Sequence, residues 1–425
     1  MLQTVYKFMM QASTPLLEAY LQKRARRGKE DVARSHERRG RPARPRGAAP
    51  LVWFHAASVG ESLALLSIIT RLLNDNPGIE VMVTTGTVTS AHLMAERLPK
   101  GAFHQYMPVD HPAWVAGFLD HWHPDLVVWS ESEFWPNMLA EISRRRIPAV
   151  LLNARMSEGS FRRWQWARGM IGGMLGAFDL CLAQNKAEAA RLLALGARDV
   201  RVSANMKYAA APLPADAGKL GAEQARFAGK KTVLFASTHP GEEEVAFATH
   251  QRLKKTVPDV LTIIVPRHPQ RGAEILALAA GQGVAATLRS RNDAPDNVYI
   301  ADTLGELGLF FRLSRNVVMG GSFADIGGHN PIEPAQLGCV IFYGPHMYNF
   351  VTINDDFKAA HAAVQVAAEA ELAAQLEQAL LQPENFNRYG AAASALTAEK
   401  AGVANDIAAE LQPFINRISG KARAA

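Results

Sequence analysis

From residue 51 to residue 343 the chain repeats one pattern: a short apolar run, a cluster of glycine and polar residues, then a helix-length stretch. The runs at 51–57, 80–84, 125–129, 149–152, 180–184 and 200–203 form one series, and those at 232–236, 261–265, 298–301, 317–319 and 339–343 a second. Consecutive apolar positions suit strands buried on both faces, and their alternation with helices predicts parallel, doubly wound sheets. The expected class is α/β, and 425 residues allow two such domains. The polar clusters fall at strand C-terminal ends, where open α/β sheets bind ligands. Two domains facing each other would make a cleft with residues on both walls.

The stretch 317–349 shows the pattern most fully. Its strand is broken by Gly320, Gly321 and Ser322, and Gly327, Gly328, His329, Asn330, Pro331 and Glu333 follow. A helix is expected from Pro331 to about Leu337, with Gly338 as its stop. Such a loop would aim backbone N–H groups at an anion, and Glu333 would suit sugar hydroxyls. Elsewhere the glycines do not read GxGxxG, which disfavours a nicotinamide site. Cys181 and Cys339 stand far apart, and no histidines have HExxH spacing, so neither a disulfide framework nor a metal is expected.

Charge is concentrated in one segment. Between Lys23 and Arg46 eleven cations face three carboxylates, a local +8 within a net charge of +6. A segment of this kind binds phosphates, of nucleic acid or of anionic lipid. The run lacks interleaved aromatics or a nucleic-acid module, so no nucleic-acid partner is expected. Residues 1–21 are mostly apolar but carry Lys7, Pro15 and Glu18, too interrupted for a span of about 20 apolar residues. The reading is an interfacial helix followed by a polybasic run, two signals for an anionic membrane surface. The alternative is an ordinary first helix with a solvated connector.

Several side chains could carry chemistry. Glu61, at a strand-to-helix turn, can serve as a general base or merely stabilise the helix N-terminus. Glu131 and Glu133 would share one side of an extended segment. Arg267 and Arg271 follow a strand, where arginine clamps phosphate. Ser237 and Thr238 are expected at the start of the second domain's first helix, as phosphate ligands or caps.

Six motifs, WFHAASVGE (53–61), SESEFWPN (130–137), NARMS (153–157), ASTHPGEEE (236–244), PRHPQR (266–271) and GGHNPIEPA (327–335), together resemble the 3-deoxy-D-manno-octulosonic acid (Kdo) transferases of lipopolysaccharide synthesis. The resemblance implies a GT-B glycosyltransferase with two Rossmann-like domains. It implies a CMP-Kdo donor, a lipid A precursor acceptor (lipid IVA), no cofactor and no metal, on the cytoplasmic face of the bacterial inner membrane. Carried over by position, Glu61 would be the general base of an inverting displacement, and Glu133 a second essential acid. Ser237, Thr238, Arg267, Gly320, Gly321, Ser322, Gly328, Asn330 and Glu333 would bind CMP. Ser58, Gly60, Ser132, Arg155 and Lys207 would lie on the acceptor side. The family's GNxKxD stretch reads Ala204-Asn205-Met206-Lys207-Tyr208-Ala209, with glycine and aspartate replaced.

The expected organisation is a membrane-associating segment at 1–47 and an acceptor domain at 48–208. A linker at 209–230, a donor domain at 231–395 and a helix at 396–425 that could pack back on the first domain complete it. Another GT-B enzyme using a UDP-sugar, as transferase or epimerase, is the alternative.

Overall fold

A computed structural model describes residues 2–42 and 44–424, with side chains through Gly420. The chain divides into two compact units, Met1–Ala210 with Ala401–Ala425, and Ala211–Lys400.

Unit 1 holds β1 (Leu51–His55), β2 (Glu80–Thr85), β3 (Ala102–Tyr106), β4 (Leu126–Ser130), β5 (Ala149–Ala154), β6 (Leu180–Ala183) and β7 (Val200–Val202). Their order is β3-β2-β1-β4-β5-β6-β7, with every pairing parallel. The direction of winding reverses between β1 and β4, which lie side by side. Both strands are buried along their whole length, which is why they read as unbroken apolar runs. Trp53 and Trp129 meet edge to face at 5.5 Å, and Phe118 packs on Trp53 at 4.9 Å. This aromatic core fixes the two strand ends from below. The Trp129 indole N–H also donates to the Glu133 carbonyl at 2.5 Å, tying down the loop after β4.

Unit 2 holds β8 (Lys231–Thr238), β9 (Val260–Pro266), β10 (Ala286–Leu288), β11 (Val298–Ile300), β12 (Asn316–Met319), β13 (Val340–Tyr343) and β14 (Val364–Gln365). The order is β10-β11-β9-β8-β12-β13-β14, again parallel throughout. Here the winding reverses between β8 and β12. The expected doubly wound α/β class is therefore what the chain forms, twice.

Three expectations need correction. Residues 209–230 are not a bare linker: Asp216 caps the helix Ala217–Arg226, accepting from the Lys219 N–H at 2.8 Å. Buried Glu223 in that helix pairs with Arg289 at 2.7 Å, and from Ala211 onward the segment is part of unit 2. The span 396–425 is not one helix. Pro383–Lys400 ends in unit 2, and Val403–Ala424 belongs to unit 1, where Gln412 and Asn76 exchange hydrogen bonds.

The third concerns the amino terminus. Residues 2–26 form two helices, α1 (Leu2–Ala12) and α2 (Thr14–Arg26), broken at Ser13. Nor is the arginine-rich run an open cationic surface. Arg24 and Arg38 pair with Glu30, Arg34 with Glu37, Arg39 with Glu18, Arg44 with Glu80 and Arg46 with Asp125. Glu37 is fully buried and also accepts the Tyr106 N–H at 2.7 Å. Six of the eleven cations are thus paired, and Arg34, Arg38, Arg44 and Arg46 fasten the segment to the unit 1 sheet and the turns at its strand ends. Lys23, Arg26, Arg27, Lys29 and Arg41 form no ion pair among the described residues.

Candidate active site

In unit 1 the reversal point gathers the loops after β1 and β4. Ser58 caps the helix α3 (Val59–Asp75): its Oγ accepts the Glu61 N–H at 3.2 Å and donates to Glu61 Oε1 at 2.7 Å. Glu61 Oε2 accepts the Ala57 N–H at 3.1 Å. Ser-x-x-Glu is a capping-box pattern, which explains the local fold without any chemistry. Two observations exceed a cap. The Ser130 hydroxyl, from the end of β4, donates to Glu61 Oε2 at 2.8 Å. And the carboxylate is only 6% exposed. Burial pushes its pKa above the ordinary carboxylate range, the Glu131 charge adds to the rise, and hydrogen bonds from Ser58, Ser130 and Ala57 oppose it. A carboxylate raised in this way binds a proton more readily than an ordinary one, the property a general base needs.

The rest of the expected acceptor side lies around it. Ser58, Gly60 and Ser132 are exposed. A Cβ added at Gly60 would meet nothing within 4 Å, so the surface there is open. Glu131 and Glu133 do not share one side of an extended strand. Glu131 takes a left-handed conformation, φ 57°, and its Oε1 accepts Asn153 Nδ2 at 3.2 Å and pairs with Lys207 Nζ at 3.2 Å. Glu133 instead accepts the Trp135 indole N–H at 3.1 Å, and burial raises its carboxyl. Arg155 lies near Glu188, where its charge opposes a rise caused first by burial. Asn205 accepts the Lys207 N–H and donates to Gln184, and the Met206 N–H reaches Asn153 Oδ1. Lys207 is thus set by a hydrogen-bonded network linking the ends of β5 and β6 to the turn after β7.

In unit 2 the reversal point gathers the loops after β8 and β12. The backbone N–H groups of the glycine loop are aimed at an anion, but not at an open site. Glu242 occupies them: its carboxylate accepts from Gly321 at 2.7 Å, Phe323 at 3.0 Å and Ala324 at 3.3 Å. It also accepts the His239 N–H at 3.0 Å. Ser237 and Thr238 do not begin a helix. They end β8, Ser237 at φ 61°, and the helix Glu242–Leu253 starts after Gly241. The Thr238 hydroxyl donates to fully buried Glu243 at 2.8 Å, and Arg271 pairs with the same carboxylate at 2.8 Å. Ser322 is also engaged internally, donating to the Met319 carbonyl and accepting the Gly344 N–H. A side chain at Gly320 would collide with the Ser237 carbonyl, so glycine there lets β8 and β12 close up.

What stays available is Arg267, exposed after β9 and without an ion pair among the described residues. Beside it stand Glu333 and Asn330. Asn330 Nδ2 donates to Glu333 Oε1 at 3.2 Å, and its Oδ1 accepts the Ile332 N–H. The helix there is one turn, Ile332–Ala335, shorter than expected, and Gly338 at φ 70° ends the following turn. Burial raises the Glu333 carboxyl, while Asn330 and the Arg267 charge oppose the rise. Gly328, at φ 78°, has no space for a side chain beside Met347. His239, His268 and His329 also converge here, with His239 and His329 in ring-to-ring contact. Among the described residues no group of three or more His, Cys, Asp or Glu could hold a metal ion.

Sequence reasoning missed Ser130, Asn153, Glu242 and the histidine pair. Only strand adjacency brings Ser130 to Glu61. Glu242 carried a visible signal, an acidic residue in the first turn of a helix, yet its loop partners lie about 80 positions later.

Two parallel α/β units, each with a polar cluster at its winding reversal, are the GT-B architecture. A UDP-N-acetylglucosamine 2-epimerase from Neisseria meningitidis has this fold, with a TM-score of 0.60 at 12% identity over 85% of this chain and all of that one. Residues 33–210 match the family described as 3-deoxy-D-manno-octulosonic-acid transferase (kdotransferase). The 3-deoxy-D-manno-octulosonic acid transferase of Rickettsia bellii is 36% identical over 84% of this chain and 86% of its own. That of Bordetella pertussis is 32% identical over 94% and 96%. The chain belongs to the 3-deoxy-D-manno-octulosonic acid transferase family, which are glycosyltransferases.

Proposed function

We propose that the chain transfers Kdo from CMP-Kdo to a lipid A precursor of the lipid IVA type, by inverting displacement. The acceptor hydroxyl oxygen attacks the Kdo anomeric carbon, the bond from that carbon to the phosphate oxygen breaks, and CMP departs. Glu61 takes the hydroxyl proton. The observation that carries this reading is the Glu61 carboxylate, buried at the reversal of the unit 1 sheet and held there by Ser58, Ala57 and Ser130. Burial raises its basicity, and the neighbouring charge of Glu131 raises it further. Glu133 would orient the acceptor, with open surface at Ser58, Gly60 and Ser132 to receive it. Lys207 and Arg155 would meet its negative groups.

Unit 2 would hold the donor. Arg267 would meet the CMP phosphate and Glu333, oriented by Asn330, the ribose. Gly321 and Gly328 would let the nucleotide approach the backbone, with Ser237 and Thr238 contributing main-chain groups. A single phosphate can be matched by one arginine and preorganised neutral donors, so the proposed chemistry uses no metal and no cofactor.

The site of action would be the cytoplasmic face of the bacterial inner membrane. Among the described residues no helix is long and apolar enough to cross a membrane. Attachment would instead rest on α1 and α2, where Phe8 and Leu16 are each 73% exposed and Met9 63%, with the unpaired cations of 23–41 near anionic headgroups. Tyr6 ties α1 to unit 1 through a 3.1 Å hydrogen bond to Asp110.

A comparison of thermal shifts tests the donor. CMP should raise the melting temperature more than UDP at equal concentration. An equal or larger shift with UDP would count against CMP-Kdo.

A further inference from the structure

β8 and β12, neighbours at the reversal of the unit 2 sheet, are followed by loops that bring His239 and His329 together. Their rings are parallel within 6°, with centroids 5.1 Å apart and Nε2 atoms 2.8 Å apart. At that separation one Nε2 carries a hydrogen and the other a lone pair. In the neutral pair one outer Nδ1 is then bare. One further proton there makes the pair a monocation without breaking the shared bond. A second would put two N–H groups face to face, so the pair holds one extra proton and no more.

The surroundings set when that proton arrives. Glu242, from the helix after β8, accepts the backbone N–H of His239, and its oxygens are also engaged with the backbone of Gly321, Phe323 and Ala324. From beyond β9 come Arg267, His268 (edge-on to His239 at 6.1 Å) and Arg271. Glu333, from the loop after β12, interacts with the Arg267 guanidinium. Burial, and after it the Arg267 charge, hold His329 at about 4; burial also lowers His239, with the Glu242 charge opposing the fall and Arg267 and Arg271 adding to it. Both shifts favour the neutral pair. An anion beside Arg267 reverses the local field and favours the protonated form.

We propose that His239 and His329 act as one phosphate-binding unit that takes up a single proton when a nucleoside monophosphate dianion binds. This rests on the reading of unit 2 as the donor site. The donor's phosphate is a diester with one negative charge, whereas the departing monophosphate can carry two. A group that responds to the added charge binds the product side of the reaction more strongly than the donor, and so favours charge that develops as the bond breaks.

Calorimetry of CMP binding to the full chain, at pH 7.5 in buffers of different ionisation enthalpy, tests this. At that pH the second ionisation of the phosphate, near about 6, is largely complete, so net uptake reports on the protein. The expected result is proton uptake with CMP and none with cytidine. In H239Q and H329Q, checked for unchanged melting temperature, the uptake should fall to near zero. Wild-type affinity should also gain on the variants as pH falls, by up to ~10-fold per pH unit for a full proton. CMP binding without uptake in the wild type overturns the inference, whether or not the variants fold. So does uptake that persists in both folded variants. Absence of CMP binding to the folded wild type would instead overturn the donor-site reading, and the inference with it.

Discussion

Glu61→Gln separates the structural role of this carboxylate from the catalytic one proposed for it. As a cap, Glu61 receives hydrogen bonds from Ala57 N, Ser58 Oγ and Ser130 Oγ. Glutamine can keep its amide oxygen toward Ala57 and Ser130, since both donors meet the same Oε2. Its nitrogen would then face only the Ser58 hydroxyl, which can rotate to accept. All three charge-assisted hydrogen bonds become neutral ones while a buried charge is removed, a net structural loss on the order of 1 kcal/mol. The chemical loss is of another size. Removing a general base lowers the rate by about 10²–10⁴-fold, or roughly 3–5 kcal/mol in the barrier. The expected outcome is a small change in melting temperature, unchanged CMP affinity, and a transfer rate reduced at least a hundredfold. Glu61→Ala should match that rate loss and add roughly 1–3 kcal/mol of instability, since the Ala57 N–H and the Ser58 and Ser130 hydroxyls lose their acceptor. The pH profile should agree. Because burial raises this carboxyl, and only its ionised form accepts a proton, activity should fall on the acid side at a pH above the ordinary carboxylate range. That acid limb should vanish in the glutamine variant. A Glu61→Gln enzyme within about tenfold of the wild-type rate would refute the reasoning.

Further outcomes follow from the same geometry. Arg267→Ala should weaken CMP binding by roughly ten- to a hundredfold, the worth of a charge-assisted hydrogen bond, without altering stability, as titration calorimetry and melting curves would show. Arg271→Ala should do the reverse, because it strands the fully buried Glu243 carboxylate. A cost of about 3–5 kcal/mol would appear as a clear drop in the melting temperature of unit 2. Replacing exposed Phe8 and Met9 together by serine should leave the melting temperature unchanged, as surface changes stay within about 0.5 kcal/mol, yet reduce flotation with anionic vesicles. Tyr6→Phe should loosen α1 through loss of its bond to Asp110, costing about 1 kcal/mol and raising protease sensitivity near Ser13.

The strands were legible because parallel strands covered on both faces are apolar through their centres, as 51–54 of β1, 126–129 of β4, 233–236 of β8 and 317–319 of β12 are. The Ser58–Glu61 turn was legible because a capping box lies within four residues. What escaped depended on pairs distant in sequence. The arginines of 24–46 looked like a free cationic run because Glu80 and Asp125, two of their partners, lie up to about 80 positions away. The glycine loop looked open because its anion, Glu242, belongs to another strand's helix. Extended geometry was assumed for Glu131 and Glu133, but the left-handed backbone at Glu131 sends the two carboxylates to different partners. The Ala- and Pro-rich composition of 209–230 suggested a linker, although Asp216 marks a helix start. Motif reading singled out these strand ends. It could not say which of their groups face outward, because that depends on which strands are neighbours.

The most direct test is mass spectrometry of the products formed when the full chain is incubated with CMP-Kdo and a tetra-acylated, bisphosphorylated lipid A precursor. The account predicts acceptor carrying Kdo, with CMP released one for one. Folded protein that binds CMP but forms no such product, or that turns over only a UDP-sugar, would contradict it.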